Sequence, residues 1–414
     1  MTKHEALYKY FGYTNFRTSQ DTVIDSLLEG CDVLGVMPTG AGKSVCFQIP
    51  ALLLPGITIV ISPLISLMKD QVAQLRKSEI PVAFINSSLT SKQYKEVLRR
   101  VAIGQYKIIY VAPERLNTTD FLRFATETPI SLIAVDEAHC VSQWGQDFRP
   151  SYLRIAEFTE KLKTRPTIGA FTATATSDVK TDIINFLKLK NPVSLTTGFD
   201  RPNLYFGVEK PKDKSKRFHE LIAERSESCG VVYCATRKAV DRVTAELRKR
   251  GISAGRYHAG LEDIERRVTQ DNFIQSNISV IVATNAFGMG IDKPDVRYVI
   301  HYNMPKNLEN YYQEAGRAGR DGNPSECILL FADDDIKTSE FFINKSGENE
   351  NLSEKELKKV QRQDIKRLDS MIRYCEISGC LRAYILGYFG EKQKGSCGNC
   401  SNCLKPSIWK RLFK

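Results

Sequence analysis

No low-complexity tract and no short repeat occurs in the 414 residues, of which 42% are hydrophobic and 26% charged. Such a composition is ordinary for a soluble globular chain and excludes the disordered, collagenous and fibrous classes. The N-terminus carries no apolar signal core and no cleavage site, so nothing in it directs export. A disulfide framework is lacking too: the 11 cysteines are odd in number, and those at 31, 46, 140, 229, 234, 327 and 375 are scattered. These read as small buried hydrophobes of a reducing compartment. Residues 44–68 contain no charge and are formally long enough to span a bilayer, but Pro50, Pro55 and Pro63 divide them. A short helix followed by a buried strand at 57–61 is expected there instead, and no membrane partner. Lys plus Arg is 59 against 48 for Asp plus Glu, a net charge of +11. That excess suits a polyanion but is shared by many proteins without one.

The length predicts two or three domains at roughly 150 residues each. Near-continuous apolar runs at 33–36, 57–61, 108–111, 132–135 and 168–171 read as strands covered on both faces of a parallel sheet. Helical stretches lie between them, for example 92–103, where Thr90 and Gln93 have capping-box spacing. A Pro- and Lys-rich stretch, 201–216, reads as an interdomain linker. A second series follows, with strands at 230–233, 280–283, 298–301 and 327–331 and helices at 238–250 and 262–276. A third piece starts near Ser339. There Ser353 and Glu356 have capping-box spacing before a helix whose apolar positions include Leu357, Val360, Leu368, Met371, Ile372 and Cys375. The expected fold is α/β, with two tandem parallel-sheet domains of similar size (1–200 and 201–338) and a small helical appendage with a basic tail (339–414). Parallel sheets bind ligands at the carboxyl ends of their strands.

After the first apolar run comes Met37-Pro-Thr39-Gly40-Ala41-Gly42-Lys43-Ser44. A phosphate chain needs small residues around which backbone N–H groups can close, a lysine for the outer phosphates and a hydroxyl for Mg²⁺. The match to GxxxxGK[ST] is partial because Met37 stands where glycine is wanted, and an ordinary Gly-rich turn is the plainer alternative. A second apolar run ends in Asp136-Glu137-Ala-His139. One carboxylate can hold a metal while its neighbour polarises an attacking water. In the second series, Arg317 and Arg320 stand three apart among small residues. A guanidinium that meets a γ-phosphate is worth about 10³–10⁵ in rate in related nucleotide hydrolases. If the arginines come from the other domain, hydrolysis requires closure. Near the end, Cys397-Gly-Asn-Cys400-Ser-Asn-Cys403 follows Cys380 by sixteen intervening residues. Four thiolates satisfy tetrahedral Zn²⁺; an iron–sulfur cluster or a redox thiol pair are the other chemistries open to them.

Together these residues resemble the superfamily 2 helicases, and more closely the RecQ family of ATP-dependent DNA helicases. The resemblance runs from Phe11 to Cys403, and it implies that the two parallel-sheet domains are RecA-like and the helical appendage zinc-binding. It includes residues 11–20, 62–71, 113–116, 172–176, 199–203, 257–261 and 283–292, which match further helicase motifs. It implies that Tyr13 stacks on adenine, that Gln20 hydrogen-bonds the base edge and that Arg17 sits nearby. It places Thr39, Gly40, Ala41, Gly42, Lys43 and Ser44 around the phosphates, with Ser44 and Asp136 on Mg²⁺. Lys43, Asp136, Glu137, Arg317 and Arg320 would be catalytic. The segment after the acid pair resembles the RecQ aromatic-rich loop, in which Trp144 and Phe148 stack on unpaired bases and Arg149 reaches a phosphate. Spacing alone leaves Cys375 and Cys380 both open as the helix ligand of the zinc site. The family pattern places the first cysteine before Arg382 and the Tyr388-Phe389-Gly390 segment, which selects Cys380 with Cys397, Cys400 and Cys403.

The resemblance also implies the cofactors ATP, Mg²⁺ and Zn²⁺, single-stranded and forked DNA as partners, 3′→5′ polarity, DNA repair or replication proteins as associates, and a cytoplasmic or nucleoid location. Only eleven residues follow Cys403, so a chain without the family's winged-helix and C-terminal helical domains is expected, either a natural short form or a fragment. Two other functions stay open on the residues: a nucleic-acid-stimulated ATPase or translocase without robust unwinding, and a non-catalytic DNA-binding accessory protein.

Overall fold

The structure is a computed structural model describing residues 1–17, 19–142, 145, 148–287, 293–346, 354–393 and 395–404. It falls into two units, Met1–Gly198 and Phe199–Lys414. The first contains strands β1 (Val33–Val36), β2 (Ile57–Ile61), β3 (Val82–Ile85), β4 (Ile108–Val111), β5 (Ile130–Val135), β6 (Thr167–Thr172) and β7 (Val193–Thr196). Their spatial order is β3-β4-β2-β5-β6-β1-β7, and every pairing is parallel. β1, β2 and β4 are buried along their whole length, as expected where helices cover both faces. The core packs Val33, Val60, Ile108, Leu132 and Phe171 of the sheet against Val23, Leu27, Phe47 and Met68 of the flanking helices.

The second unit contains β8 (Leu204–Glu209), β9 (Gly230–Tyr233), β10 (Ala254–Tyr257), β11 (Val280–Ala283), β12 (Tyr298–His301) and β13 (Ser325–Leu330). Their order is β10-β11-β9-β12-β13-β8, again all parallel. The expectation of a linker at 201–216 is corrected here. Leu204–Glu209 is a strand paired with β13, and Lys214–Ala223 is a helix. Pro202 and Pro211 gave the stretch its loop character, yet they bracket the strand and leave its ladder intact.

Several helices end where their chemistry directs. Thr90 and Gln93 cap the helix Ser91–Ala102 reciprocally, through Gln93 N to Thr90 Oγ1 and Thr90 N to Gln93 Oε1. The helix Val45–Leu53 contains Pro50 within its length, and burial of residues 46–51 holds it. Among the described residues no helix is long and apolar enough to cross a membrane. Ser339 lies within the helix Asp333–Ser346. Ser353 lies outside the described residues; the helix Glu354–Glu376 follows, with Leu368, Met371 and Cys375 buried.

The cysteine-bearing segment sits on the outer side of β8. Cys400 forms an isolated parallel bridge with Phe206, and Asn399 Nδ2 donates to the carbonyls of Pro202 and Leu204 at 3.1 and 3.2 Å. Val208 N donates to Ser401 Oγ at 3.3 Å. The rings of Phe199 and Phe389 stack with centroids 4.4 Å apart and planes 13° apart.

Candidate functional sites

Three neighbouring strands, β5, β6 and β1, end at one edge of the first sheet, and their carboxyl-end residues make the first site. Residues 37–44 leave β1 and enter the helix Val45–Leu53. Gly40 and Gly42 have φ of 86° and 80°, in the left-handed region that glycine adopts without strain. A Cβ on Gly42 would stand 2.4 Å from Gln20 Nε2, so the loop is packed as well as turned. Lys43 follows directly. Its Nζ lies 3.3 Å from Asp136 Oδ1 and 3.3 Å from Glu137 Oε1, with all three side chains at 15% exposure or less.

Burial works against the Lys43 charge, but Glu137 and Asp136 outweigh it and the net effect is a raised pKa. Burial raises the Asp136 carboxyl, reinforced by Glu137 and opposed by Lys43. The acid pair is held from several sides. Asp136 N donates to Ile61 O at 2.9 Å, and Glu137 N donates to Asp136 Oδ1 at 3.0 Å. Glu137 itself has φ 48°, a conformation a non-glycine residue keeps only where its surroundings impose it. His139 Nδ1 is 2.8 Å from Thr172 Oγ1 at the end of β6 and 3.3 Å from Glu137 Oε2. The Tyr152 hydroxyl donates to Asp136 O at 3.0 Å. Tyr152→Phe removes that bond from a buried carbonyl and is expected to lower stability by about 1 kcal/mol. The check is a lower urea midpoint at unchanged slope.

Gln20 and Arg17 stand against this loop. Gln20 Nε2 donates to Ala41 O and Gly42 O at 3.3 and 3.1 Å, its Oε1 accepts from Arg17 N at 2.8 Å, and Arg17 Nη1 donates to Gly40 O. Gln20 therefore grips the loop backbone, a role the motif spacing did not disclose. Tyr13 is 57% exposed. Of the aromatic-loop residues, Trp144 lies outside the described residues. Phe148 and Arg149 are half-buried, and Arg149 Nη1 donates to Pro63 O at 2.7 Å. A Cβ on Gly145 would meet His139 O at 2.1 Å, so Gly145 itself lies directly against the acid-pair turn.

The donor set fits Mg²⁺ and a triphosphate: a hard carboxylate (Asp136), a hydroxyl (Ser44), a lysine within 3.3 Å of both acids and two left-handed glycines in one loop. The cysteine set fits Zn²⁺. The Sγ atoms of Cys380, Cys397, Cys400 and Cys403 lie within 4.8 Å of one another, and those of Cys397 and Cys403 are 3.8 Å apart. A tetrahedron of Zn–S bonds of about 2.3 Å has an edge of about 3.8 Å. Ala383 N, Asn399 N and Cys403 N donate to the sulfurs of Cys380, Cys397 and Cys400 at 3.4, 3.3 and 3.4 Å. These bonds orient thiolates, as outer partners of a metal site do. Cys375 belongs instead to the buried face of the helix Glu354–Glu376.

In the second unit, Arg317 is buried and Arg320 half-buried, on the turn after the helix Leu308–Ala315. A cleft of about 770 Å³ lies at the carboxyl ends of β9, β11 and β12. Basic Arg237, Lys238, Lys306 and Lys345 line it with Thr236 and Asn303. Glu314 and His301 also reach the cleft, and His301 Nε2 is 2.9 Å from Glu314 Oε2.

Comparison with known proteins covers both units. Residues 17–182 match the DEAD/DEAH box helicase family, 213–322 the helicase conserved C-terminal domain, and 333–404 the RecQ zinc-binding family. The ATP-dependent DNA helicase RecQ of Bacillus subtilis is 47% identical over 95% of this chain and 65% of its own length. The RecQ of Haemophilus influenzae is 42% identical over 98% and 64%. The probable ATP-dependent DNA helicase RecS of B. subtilis is 38% identical over 97% of this chain and 92% of its own. The chain thus spans about two thirds of the RecQ relatives it matches. Among solved structures, S. cerevisiae Dbp5 bound to RNA and ADP BeF3 superposes with TM-score 0.66 at 17% identity, covering 89% of this chain and 97% of that one. The helicase MrfA bound to DNA gives 0.68 at 18%, covering 95% and 59%. These two share the fold: paired RecA-like parallel sheets.

Proposed function

Because the chain belongs to the RecQ family of superfamily 2 helicases, we propose that it is an ATP-dependent DNA helicase moving 3′→5′ along one strand and separating the duplex ahead. The observation that carries this reading is the convergence of Lys43, Asp136 and Glu137 within 3.3 Å at the carboxyl end of a parallel sheet. Lys43 binds the outer phosphates, and residues 39–44 wrap the remainder. Tyr13, with Arg17 and Gln20 beside the loop, bounds the adenine end. Glu137, fixed by its turn and by His139, takes a proton from the attacking water. Ser44 and Asp136 would hold Mg²⁺, which when bound would supply charge neutralisation on the phosphates. Arg317 and Arg320 meet the charge that develops on the transferring phosphoryl group.

For DNA, Trp144 and Phe148 supply stacking surface, and Arg149 is assigned a phosphate. The basic cleft of the second unit suits a sugar–phosphate backbone, contacts that position a strand without reading its sequence. On this reading residues 1–200 bind nucleotide, 201–338 form the second motor domain, and 339–414 carry the structural zinc. The protein acts in the cytoplasm, on the nucleoid in a prokaryote, alongside repair or replication proteins.

ATP hydrolysis measured with and without single-stranded DNA, together with unwinding of 3′- and 5′-tailed duplexes, tests the proposal. Stimulation by DNA and unwinding confined to the 3′-tailed substrate are expected. Stimulation without unwinding of either duplex would reduce the assignment to a translocase, and equal stimulation by RNA would overturn the choice of DNA.

A further inference from the structure

The turn that carries Arg317 and Arg320 follows the helix Leu308–Ala315, whose last carbonyls, of Tyr312, Glu314 and Ala315, accept from Gly316 N, Arg317 N and Ala318 N. A single guanidinium takes the carbonyls of the turn beyond them. Arg201 Nη1 donates to Gly316 O at 3.2 Å, and its Nη2 donates to Ala318 O at 3.0 Å and Gly319 O at 2.9 Å. A cation there also complements the negative end of the helix dipole. Asn203 adds a second hold, donating through Nδ2 to Gly319 O at 2.9 Å and Asn323 O at 3.0 Å. Gly319 has φ 54°, and a Cβ on it would stand 2.5 Å from Asn203 Nδ2. The turn is therefore shaped around these two side chains.

Arg201 is itself pinned from the opposite side. Arg382, 4% exposed on the helix that follows Cys380, donates through Nη1 to Asp200 Oδ1 and to Arg201 O, each at 2.6 Å, and through Nη2 to Leu204 O. Its guanidinium also lies over the Phe206 ring, 5.3 Å from the centroid. The whole chain of contacts lies within one unit.

We propose that Arg201 is a positioning residue for ATP hydrolysis, holding the main chain between the two arginines that meet the γ-phosphate. The inference rests on the catalytic reading of Arg317 and Arg320. A fork that binds three carbonyls on one turn restricts where the neighbouring side chains point. Misplacement of a catalytic group by about 1 Å can cost about 10²-fold in rate. Lysine, a point charge with no planar fork, does not reproduce such an arrangement.

The test is a mutant cycle on the full chain, reading DNA-stimulated kcat, KM for ATP, metal content and thermal midpoint. Arg201→Ala is expected to lower kcat about tenfold with KM changed less than about twofold. Arg201→Lys should recover only a small part of the loss. In the Arg320→Ala background, adding Arg201→Ala should cost a clearly smaller factor in kcat than in the wild type, because only Arg317 is left to position. A merely structural role would reduce kcat by the same factor in both backgrounds. Should Arg201→Ala fail to fold, Asn203→Ala removes the lighter hold and should show the same pattern at smaller size. Unchanged kcat in the folded single variant, or losses that multiply in the double variant, would overturn the positioning role alone. Wild-type kcat in both Arg317→Ala and Arg320→Ala would remove the catalytic reading and the inference with it.

Discussion

Lys43→Ala is expected to abolish ATP turnover, with kcat down by at least about 10²–10³-fold, while single-stranded DNA still binds. Lys43 is the counter-charge within 3.3 Å of both members of an almost buried acid pair. Removing one partner of such a group leaves the rest of it uncompensated, at about 3–5 kcal/mol. Two adjacent carboxylates without a cation then disfavour each other's ionisation. The Asp136 carboxyl, already raised by burial, loses the cation that opposes that rise, so the residue assigned to Mg²⁺ holds its charge less readily. The variant therefore loses the phosphate contact and weakens metal binding together. A coupled-enzyme ATPase assay beside fluorescence anisotropy with labelled single-stranded DNA measures both sides. Retention of DNA-stimulated hydrolysis would show that the nucleotide site lies elsewhere.

Cys400→Ser, or removal of zinc by a strong chelator, is expected to unfold the appendage. Structural zinc in small peptides binds with about 10–16 kcal/mol, as much as the whole stability of a typical domain, about 5–15 kcal/mol. Cys400 is fully buried and bridges to Phe206. Its substitution removes a ligand, and the strand contact made by the same residue's backbone loses the metal that holds the segment in place. The Phe199–Phe389 stack and the Arg382 bonds to Asp200, Arg201 and Leu204 depend on the same segment. Metal content should fall from one per chain towards zero, and the second unit's thermal midpoint should drop by at least about 10 °C, since each kcal/mol shifts it by about 2–4 °C. Nucleotide binding by the first unit should persist, which separates this variant from Lys43→Ala. A substituted protein with full metal content and an unshifted midpoint would refute the assignment of Cys400.

The interior of both sheets was legible from apolar runs alone. β1, β2, β4, β5, β6, β9, β11, β12 and β13 all coincide closely with a near-continuous stretch of apolar residues. The strands not read from such a run are β3, β7, β8 and β10, the outer strands of the two sheets, although β3, Val-Ala-Phe-Ile, is itself continuously apolar. An edge strand is covered less completely and tolerates polar residues: β7 reads Val-Ser-Leu-Thr with alternate residues exposed, and β10 reads Ala-Gly-Arg-Tyr. Hydrophobic continuity reports burial on both faces, so it fades where the burial does.

The candidate site divides in a similar way. Lys43, the acid pair and the cysteine steps sit in contiguous motifs whose chemistry can be read locally. Gln20 on the phosphate loop, Tyr152 on the Asp136 carbonyl and Arg201 on the arginine turn are contacts to backbone atoms. They impose no complementary residue type on the partner, and Arg201 lies 117 positions from Ala318. Only folding reveals them. The choice of Cys380 over Cys375 is similar: both precede Cys397 at workable spacing, and only one has its sulfur within the cluster.

The lie of the cysteine segment against β8 has a consequence for the protein's behaviour in concentrated solution. A sheet's last strand offers a row of backbone donors and acceptors to which any extended chain can add, including another copy of the same molecule. Here Asn399, Ser401, Arg382 and the Cys400 bridge engage the Pro202 and Leu204 carbonyls, the Val208 N–H and Phe206, and so close that row. Metal-stripped protein is thus expected to scatter light and sediment as large species in proportion to its concentration, with zinc acting as the solubility guard of an otherwise open sheet.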